Sequence, residues 1–229
     1  MKKKILGITA HADDHIMFAG TVLKLQKSGY DYTEVVMTSS GEGRDYRKLS
    51  GNGRDNITQY RHEELSAALS LLSCKKLYTC NQEDQNLQYS KELMHTLIKI
   101  IRKEKPEIVF TMNAFDVHPD HTAMAHIVRE AVRWAAKNFR TEYGKPHRVT
   151  YPLYAEGTVP VDPHILVDVT DYYEKKEELF RLYTSQASQK DLDLLKGISA
   201  IRGYHLRKPE GQHAEAFTVE KNSLPILFE

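Results

Sequence analysis

Two short segments concentrate the side chains of this sequence that could do chemistry. His11-Ala12-Asp13-Asp14-His15 places His11, Asp13, Asp14 and His15 within one tight stretch, and Asp116-Val117-His118-Pro119-Asp120-His121 adds two histidines and two aspartates. Taken singly, each segment has a plainer reading. Asp13 or Asp14 suits the N-cap of a following helix, where a carboxylate accepts from a free backbone N–H. Asp120 suits the same task before a second helix, with its histidines on the surface. Taken together, the segments hold the ingredients of a metal centre. A catalytic zinc takes three protein ligands from His, Asp, Glu or Cys and keeps a position for water. One His and one Asp from the first segment, with one His from the second, would make that set.

The elements that must position them follow an alternating pattern. Lys4 to Thr9, Glu34 to Thr38, Leu77 to Cys80 and Glu107 to Thr111 read as short strands. Ile16 to Ser28, Thr58 to Leu72, Lys91 to Lys103 and His121 to Asn138 read as helices. The helical stripes are explicit: Leu65, Ala68, Leu69 and Leu72 recur at i, i+3, i+4 and i+7, and Met94, Leu97, Ile98 and Ile101 do the same. Strands alternating with helices imply an α/β fold, Rossmann-like and doubly wound, with a mainly parallel sheet flanked by helices. Ligands in such sheets bind outside the carboxyl ends of the strands. The first segment falls at the exit of the first strand and the second at the exit of the fourth. Further on, 148–156, 164–169 and 217–219 read as strands and 172–184 as a helix.

The bulk properties narrow the partners. Lys plus Arg number 32 and Asp plus Glu 31, so the basic field expected of a nucleic-acid binder is missing. Lys2 to Lys4 read as a solvated end. The apolar run after them stops at Ala10, too short for a signal peptide, and no stretch is long enough to span a membrane. Cys74 and Cys80 give no disulfide framework, so the expected location is cytoplasmic. The expectation is one domain over 1–229 with a small-molecule substrate; a homo-oligomer stays open. The Gly-rich stretch from Gly41 to Asn56 reads as a flap beside the site. Its arginines Arg44, Arg47 and Arg54 read as solvated, and Trp134 as packing in a core or interface.

The order strand, His-x-Asp-Asp, then His-Pro-Asp-His before a helix resembles the PIG-L (LmbE-like) family of N-acetylglucosaminyl deacetylases. The resemblance runs along nearly the whole chain. Arg61-His62-Glu63-Glu64 is similar to the family's Arg-x-x-Glu, and Tyr183-Thr184-Ser185-Gln186 to its Ser-Gln segment. Arg202-Gly203 and Ala214-Glu215-Ala216-Phe217 are similar to its C-terminal elements. The resemblance implies one Zn2+ per chain held by His11, Asp14 and His121. It implies Asp13 as general base, His118 as acid or oxyanion stabiliser, and Asp120 as the residue that orients a histidine. Arg61 would face the substrate and Glu215 would line the site. The implied substrate is an amino sugar or its conjugate, and the implied reaction is removal of an N-acyl group, acetyl by default.

Departures from the family pattern bear on the substrate. Ala12 stands where Pro is common and His15 where Glu is common, which makes His15 a fourth ligand, a substrate contact or an outer residue. Asp116 stands where some relatives carry Tyr. Two other readings fit the residues. A metal-dependent phosphoesterase also uses Asp- and His-rich strand exits, and Asn81 to Asp84 would add a further carboxylate source. A sugar-binding α/β protein without catalysis is the second, although no Gly-x-Gly-x-x-Gly or P-loop follows any strand.

Overall fold

The computed structural model describes residues 2–43, 45–47 and 57–220. A seven-stranded sheet runs through them in the order β3-β2-β1-β4-β5-β7-β6. The strands are β1 (Lys4–Thr9), β2 (Asp31–Thr38), β3 (Lys76–Gln82), β4 (Ile108–Met112), β5 (Tyr151–Ala155), β6 (Ile165–Asp168) and β7 (Ala214–Thr218). β1 pairs in parallel with both β2 and β4, which puts the reversal of strand order between β1 and β4. Parallel pairing continues to β3 on one side and β5 on the other. β7 then inserts antiparallel between β5 and β6.

The helices are α1 (Ala19–Lys27), α2 (Ile57–Leu71), α3 (Lys91–Glu104), α4 (Pro119–Ala135), α5 (Tyr173–Arg181) and α6 (Gln189–His205). Strand side chains alternate between two buried layers, as the pleat requires. Ile5 and Phe110 face Phe18, Leu65, Leu69, Leu179 and Leu195, while Leu6, Ile8 and Val109 face Leu97, Ile101, Met124, Ile127 and Val128. Thus α1, α2, α5 and α6 cover one face, and α3 and α4 the other. Trp134 lies at the rim of the second layer with its ring 5.0 Å from that of Phe139.

Helix α6 leaves no periodic apolar stripe in the sequence. Its inward residues are Leu192, Leu195, Ser199, Arg202 and Gly203, so the buried stripe is only half apolar and the helical period is hidden. The start signal was present nonetheless: Ser188 and Asp191 form a reciprocal capping box. Gly203 is there because a Cβ would sit 2.2 Å from the carbonyl oxygen of Gln212. Arg202 beside it donates from Nε to Glu156 at 2.9 Å, tying α6 to the end of β5.

The late strand β7 is anchored through Glu215. Its buried carboxylate accepts from the backbone N–H groups of Gly20 (2.9 Å) and Thr21 (2.8 Å) at the start of α1. It also accepts from Thr21 Oγ1 (2.6 Å) and from Lys176 Nζ of α5 (2.7 Å). A carboxylate at a helix N-terminus is favourable, and here it is also paired with a buried cation. Glu215→Ala leaves Lys176 buried without a counter-charge and frees the first N–H groups of α1. The expected loss is about 3 kcal/mol of unfolding free energy in urea at pH 7; a change within ~0.5 kcal/mol, the usual range for surface substitutions, would contradict the role.

Candidate metal centre and active site

The two segments meet at the switch point between β1 and β4. After β1 the chain makes a tight 3-10 turn, Asp14–Phe18, before α1 begins. Asp13 stands at the N-cap of that turn but makes no capping bond with its side chain. Asp14 does not cap it either: its Oδ2 accepts from the N–H groups of Ala10 (3.0 Å) and His11 (2.8 Å), behind it in the chain. That grip aims Oδ1 at Nε2 of His121, 3.1 Å away. On the other side Pro119 opens α4, and the N-cap is His118 rather than Asp120. His118 Nδ1 accepts from the N–H of Asp120 at 3.2 Å.

Four atoms from three residues come close together. His11 Nδ1 is 3.3 Å from His121 Nε2 and 3.5 Å from Asp14 Oδ2, and His121 Nε2 is 3.1 Å from Asp14 Oδ1. Each imidazole is gripped from behind. His11 Nε2 lies 3.0 Å from Asp84 Oδ1 and 3.1 Å from Asp120 Oδ2. His121 Nδ1 lies 3.2 Å from Asp116 Oδ2, an ion-pair separation whose angle falls outside a hydrogen bond. A carboxylate behind a histidine holds a proton on the nitrogen it faces and leaves the opposite nitrogen as a lone pair. Two lone pairs and a carboxylate oxygen then point into one space with no donor among them, which is an arrangement for a cation. The separations also suit a small ion, since tetrahedral ligands at zinc–nitrogen distances lie about 3.3 Å apart. Here the residues fit a divalent metal.

Two other sets, His11, His118 and His121, and His11, Asp84 and Asp120, bring one atom each within 4.8 Å of one another. Neither set is as well prepared. His118 Nδ1 is occupied by a backbone donor, and Asp84 and Asp120 are already accepting from the N–H groups of Glu42, Gln85 and Leu87 at 2.8, 2.8 and 3.0 Å.

Without a cation, protons fill the space. Burial alone would push the His11 imidazole down, but Asp14, Asp120 and Asp84 outweigh it and raise it to about 12. Burial likewise opposes His121, yet Asp14 and Asp116 lift it to about 10. His118 moves the other way, lowered by its burial and by the positive charge of His11 and His121. Neutral His118 with Nδ1 accepting carries its proton on Nε2.

The other expected residues divide. Arg61, on α2, is buried; its Nη2 donates to Asp13 Oδ1 at 2.7 Å and its Nη1 to the carbonyl of Ser40 at 2.9 Å. It lines a polar cavity of about 330 Å3 together with His11, Asp13, Asp84, Gln85 and His118. Three residues further along α2, Glu64 accepts from Thr184 Oγ1 (2.9 Å), Ser185 N–H (2.8 Å) and Ser185 Oγ (2.6 Å). The Arg-x-x-Glu spacing therefore holds the turn after β1 with one residue and the Ser-Gln segment with the other.

His15 does not reach a cavity. It is fully buried with Nε2 3.4 Å from the Tyr183 hydroxyl, and burial pushes its imidazole down to about 4. Such a placement offers neither a ligand nor a substrate contact. Asp120 orients His11, and its carboxylate does not stand between His118 and His121. Glu215 borders a second cavity, described below, but all its hydrogen bonds run to α1 and α5. Outside the phosphoesterase reading, which draws on Asn81 to Asp84, the sequence assigns no role to Asp84, and it assigns none to Asp116. The signal for Asp84 was its place at the exit of β3, the neighbour of β2 on the side away from β1. Of the expected flap, Arg44 and 48–56, hence also Arg54, lie outside the described residues. Arg47 is not simply solvated: it pairs with Asp45 at 2.5 Å and stacks over Tyr60 at 3.9 Å.

A His/Asp cluster at the switch point of a doubly wound sheet defines an α/β protein with a candidate metal site. The PIG-L family profile, described as GlcNAc-PI de-N-acetylase, matches residues 6–132, and the chain belongs to that family. It is 30% identical over 190 residues to the diacetylchitobiose deacetylase of Thermococcus kodakarensis, covering 80% of this chain and 70% of that one. A probable N-acetyl-alpha-D-glucosaminyl L-malate deacetylase 2 of Bacillus anthracis is 26% identical, covering 84% and 85%. The structure of N,N'-diacetylchitobiose deacetylase from Pyrococcus horikoshii superimposes with a TM-score of 0.81 at 28% identity, covering 95% of this chain and 83% of that one. The enzyme class these relatives define is that of hydrolases. Among the described residues, no helix is long and apolar enough to cross a membrane.

Two outcomes are expected. Because the surrounding carboxylates favour protonated His11 and His121, zinc binding is expected to release protons at pH 7 and to weaken as pH falls. Calorimetry in buffers of different ionisation enthalpy measures this release; none at pH 7 would contradict the site. Asp116→Ala removes the grip on His121 and is expected to weaken zinc binding by about 10–100-fold with the fold intact by circular dichroism; unchanged affinity would show that Asp116 does not support the ligand.

Proposed function

We propose that this chain is a zinc-dependent hydrolase that removes an N-acyl group, acetyl by default, from an amino sugar or amino-sugar conjugate. The observation that carries the reading is the approach of His11 Nδ1, His121 Nε2 and the Asp14 carboxylate, one oxygen toward each imidazole, with the Asp13 carboxylate on the rim of the same cavity. His11, Asp14 and His121 would hold one Zn2+, and the ion would supply Lewis acidity to the amide carbonyl and to water.

The chain's own residues do the rest. Asp13 is the general base. Arg61 fixes its Oδ1, which leaves Oδ2 to take a proton from the attacking water and pass it to the leaving amine. Arg61 is thereby a positioning residue first, with its cavity-facing edge near the substrate. His118 presents Nε2–H to the carbonyl oxygen as charge develops there, and does so as a neutral imidazole. Asp120 and Asp84 hold His11 in the ligating orientation, and Asp116 does the same for His121. The sugar class is supported by the relatives named above, which act on diacetylchitobiose and, in the Bacillus case, on a GlcNAc-malate conjugate. The cavity fits that class: its polar groups suit hydroxyls.

The test is release of primary amine from N-acetylglucosamine and N,N'-diacetylchitobiose by the zinc-loaded protein. Asp13→Asn is expected to keep its zinc by elemental analysis and to lose turnover by about 100-fold or more. Near wild-type turnover in that variant would remove Asp13 as the base, and His121→Ala with full zinc occupancy would remove His121 from the ligand set.

A further inference from the structure

Two cavities meet at the cluster, and their chemistry differs. Asp13, Asp14, His121 and Gln186 border both. The polar one holds Arg61, Asp84, Gln85 and His118. The other, about 230 Å3, runs from His121 between the 3-10 turn after β1 and helices α5 and α6, and presents Ile16, Met17, Phe180, Leu194, Leu195 and Ile198.

Charged side chains border this second space too, but away from the cluster each is already matched. Lys176 and Glu215 pair at 2.7 Å, Glu156 takes Arg202 Nε at 2.9 Å, and Asp191 accepts from the Ser188 N–H at 3.0 Å. A ligand entering beyond the cluster therefore meets an apolar wall. Hydroxyls placed there would be left unpaired, whereas alkyl carbons would leave water at no cost. An acetyl methyl would leave most of the space unfilled.

We propose that this second cavity is an acyl pocket, and that the chain prefers amino sugars whose N-acyl group is of butanoyl to hexanoyl size. The inference rests on the deacylase reading above. With the amide carbon at the cluster, the sugar lies in the polar cavity and the alkyl chain runs toward Phe180 and Leu195. Water's oxygen bonds to the acyl carbon, the C–N bond breaks, and water's protons go to the nitrogen and to solvent. The acyl part leaves as a carboxylate and the sugar as an amine.

The experiment is a series of N-acetyl-, N-butanoyl- and N-hexanoyl-glucosamine with the zinc-loaded full chain, read as amine release. Each methylene that enters the pocket raises kcat/KM by about fourfold, so butanoyl exceeds acetyl by about tenfold or more. Ile198→Phe, which narrows the pocket from α6, lowers the hexanoyl-to-acetyl ratio by at least about tenfold. A second readout needs no turnover: hexanamide binds the metal-free chain by saturation-transfer NMR, and Ile198→Phe abolishes that signal. If acetyl is cleaved and kcat/KM falls with each added methylene, the acyl pocket is wrong and the deacylase reading stands. If no member of the series nor diacetylchitobiose releases amine, the deacylase reading fails and takes this inference with it. Should Ile198→Phe not fold, the wild-type series alone decides.

Discussion

Four aspartates crowded onto two imidazoles are the constraint from which the rest of the structure follows. Asp84 and Asp120 press on His11, Asp116 presses on His121, and Asp14 faces both. Carboxylates this buried repel one another unless positive charge sits between them, and the two histidines can supply it only by holding protons. A divalent cation does the same with less crowding, because it turns two opposed N–H groups into two ligands. The fold brings the participants together at low cost. β1 and β4 are adjacent and parallel, so their exits lie side by side, and no long loop must be ordered to join His11 to His121.

Around that core, buried ion pairs and one hydrogen-bonded carboxylate set the angles. Arg61 fixes Asp13 against the cluster, and Glu64 fastens the 183–186 segment over it. Glu215 with Lys176, and Glu156 with Arg202, lock α1, α5, α6 and the antiparallel strand β7 behind the site. Such pairs are costly to desolvate and gain little over apolar packing. What they contribute is direction. The same pairs leave the space beyond the cluster without free charge, which makes one side of the centre apolar while the other stays polar.

Much of this was legible in the sequence. The parallel half of the sheet followed from apolar strands alternating with striped helices, and the ligand candidates followed from His/Asp runs at two strand exits. What was hidden had physical reasons. Asp84 follows Glu83 in a polar stretch with no ligand-like spacing, and only the placement of β3 beside β2 brings it to His11. Asp116 was read as a missing Tyr because its partner, His121, lies a turn and a half away through a non-helical bend. His15 looked like a ligand by neighbourhood, yet the 3-10 turn rotates it inward under Tyr183. Helix α6 is obscured by Ser199, Arg202 and Gly203 on its buried face, and the first half of β7, read only over 217–219, by the buried charge of Glu215 within it. Glu215 read as a site residue from its family segment; its hydrogen bonds make it a helix cap.

The most direct test of the central claim is anomalous diffraction at the zinc edge from crystals of the zinc-loaded chain. The account predicts one peak, enclosed by His11 Nδ1, Asp14 Oδ1 and His121 Nε2. A peak on the far side of His11, between Asp84 and Asp120, or a pair of peaks at the site, would contradict it and favour two-metal phosphoester chemistry.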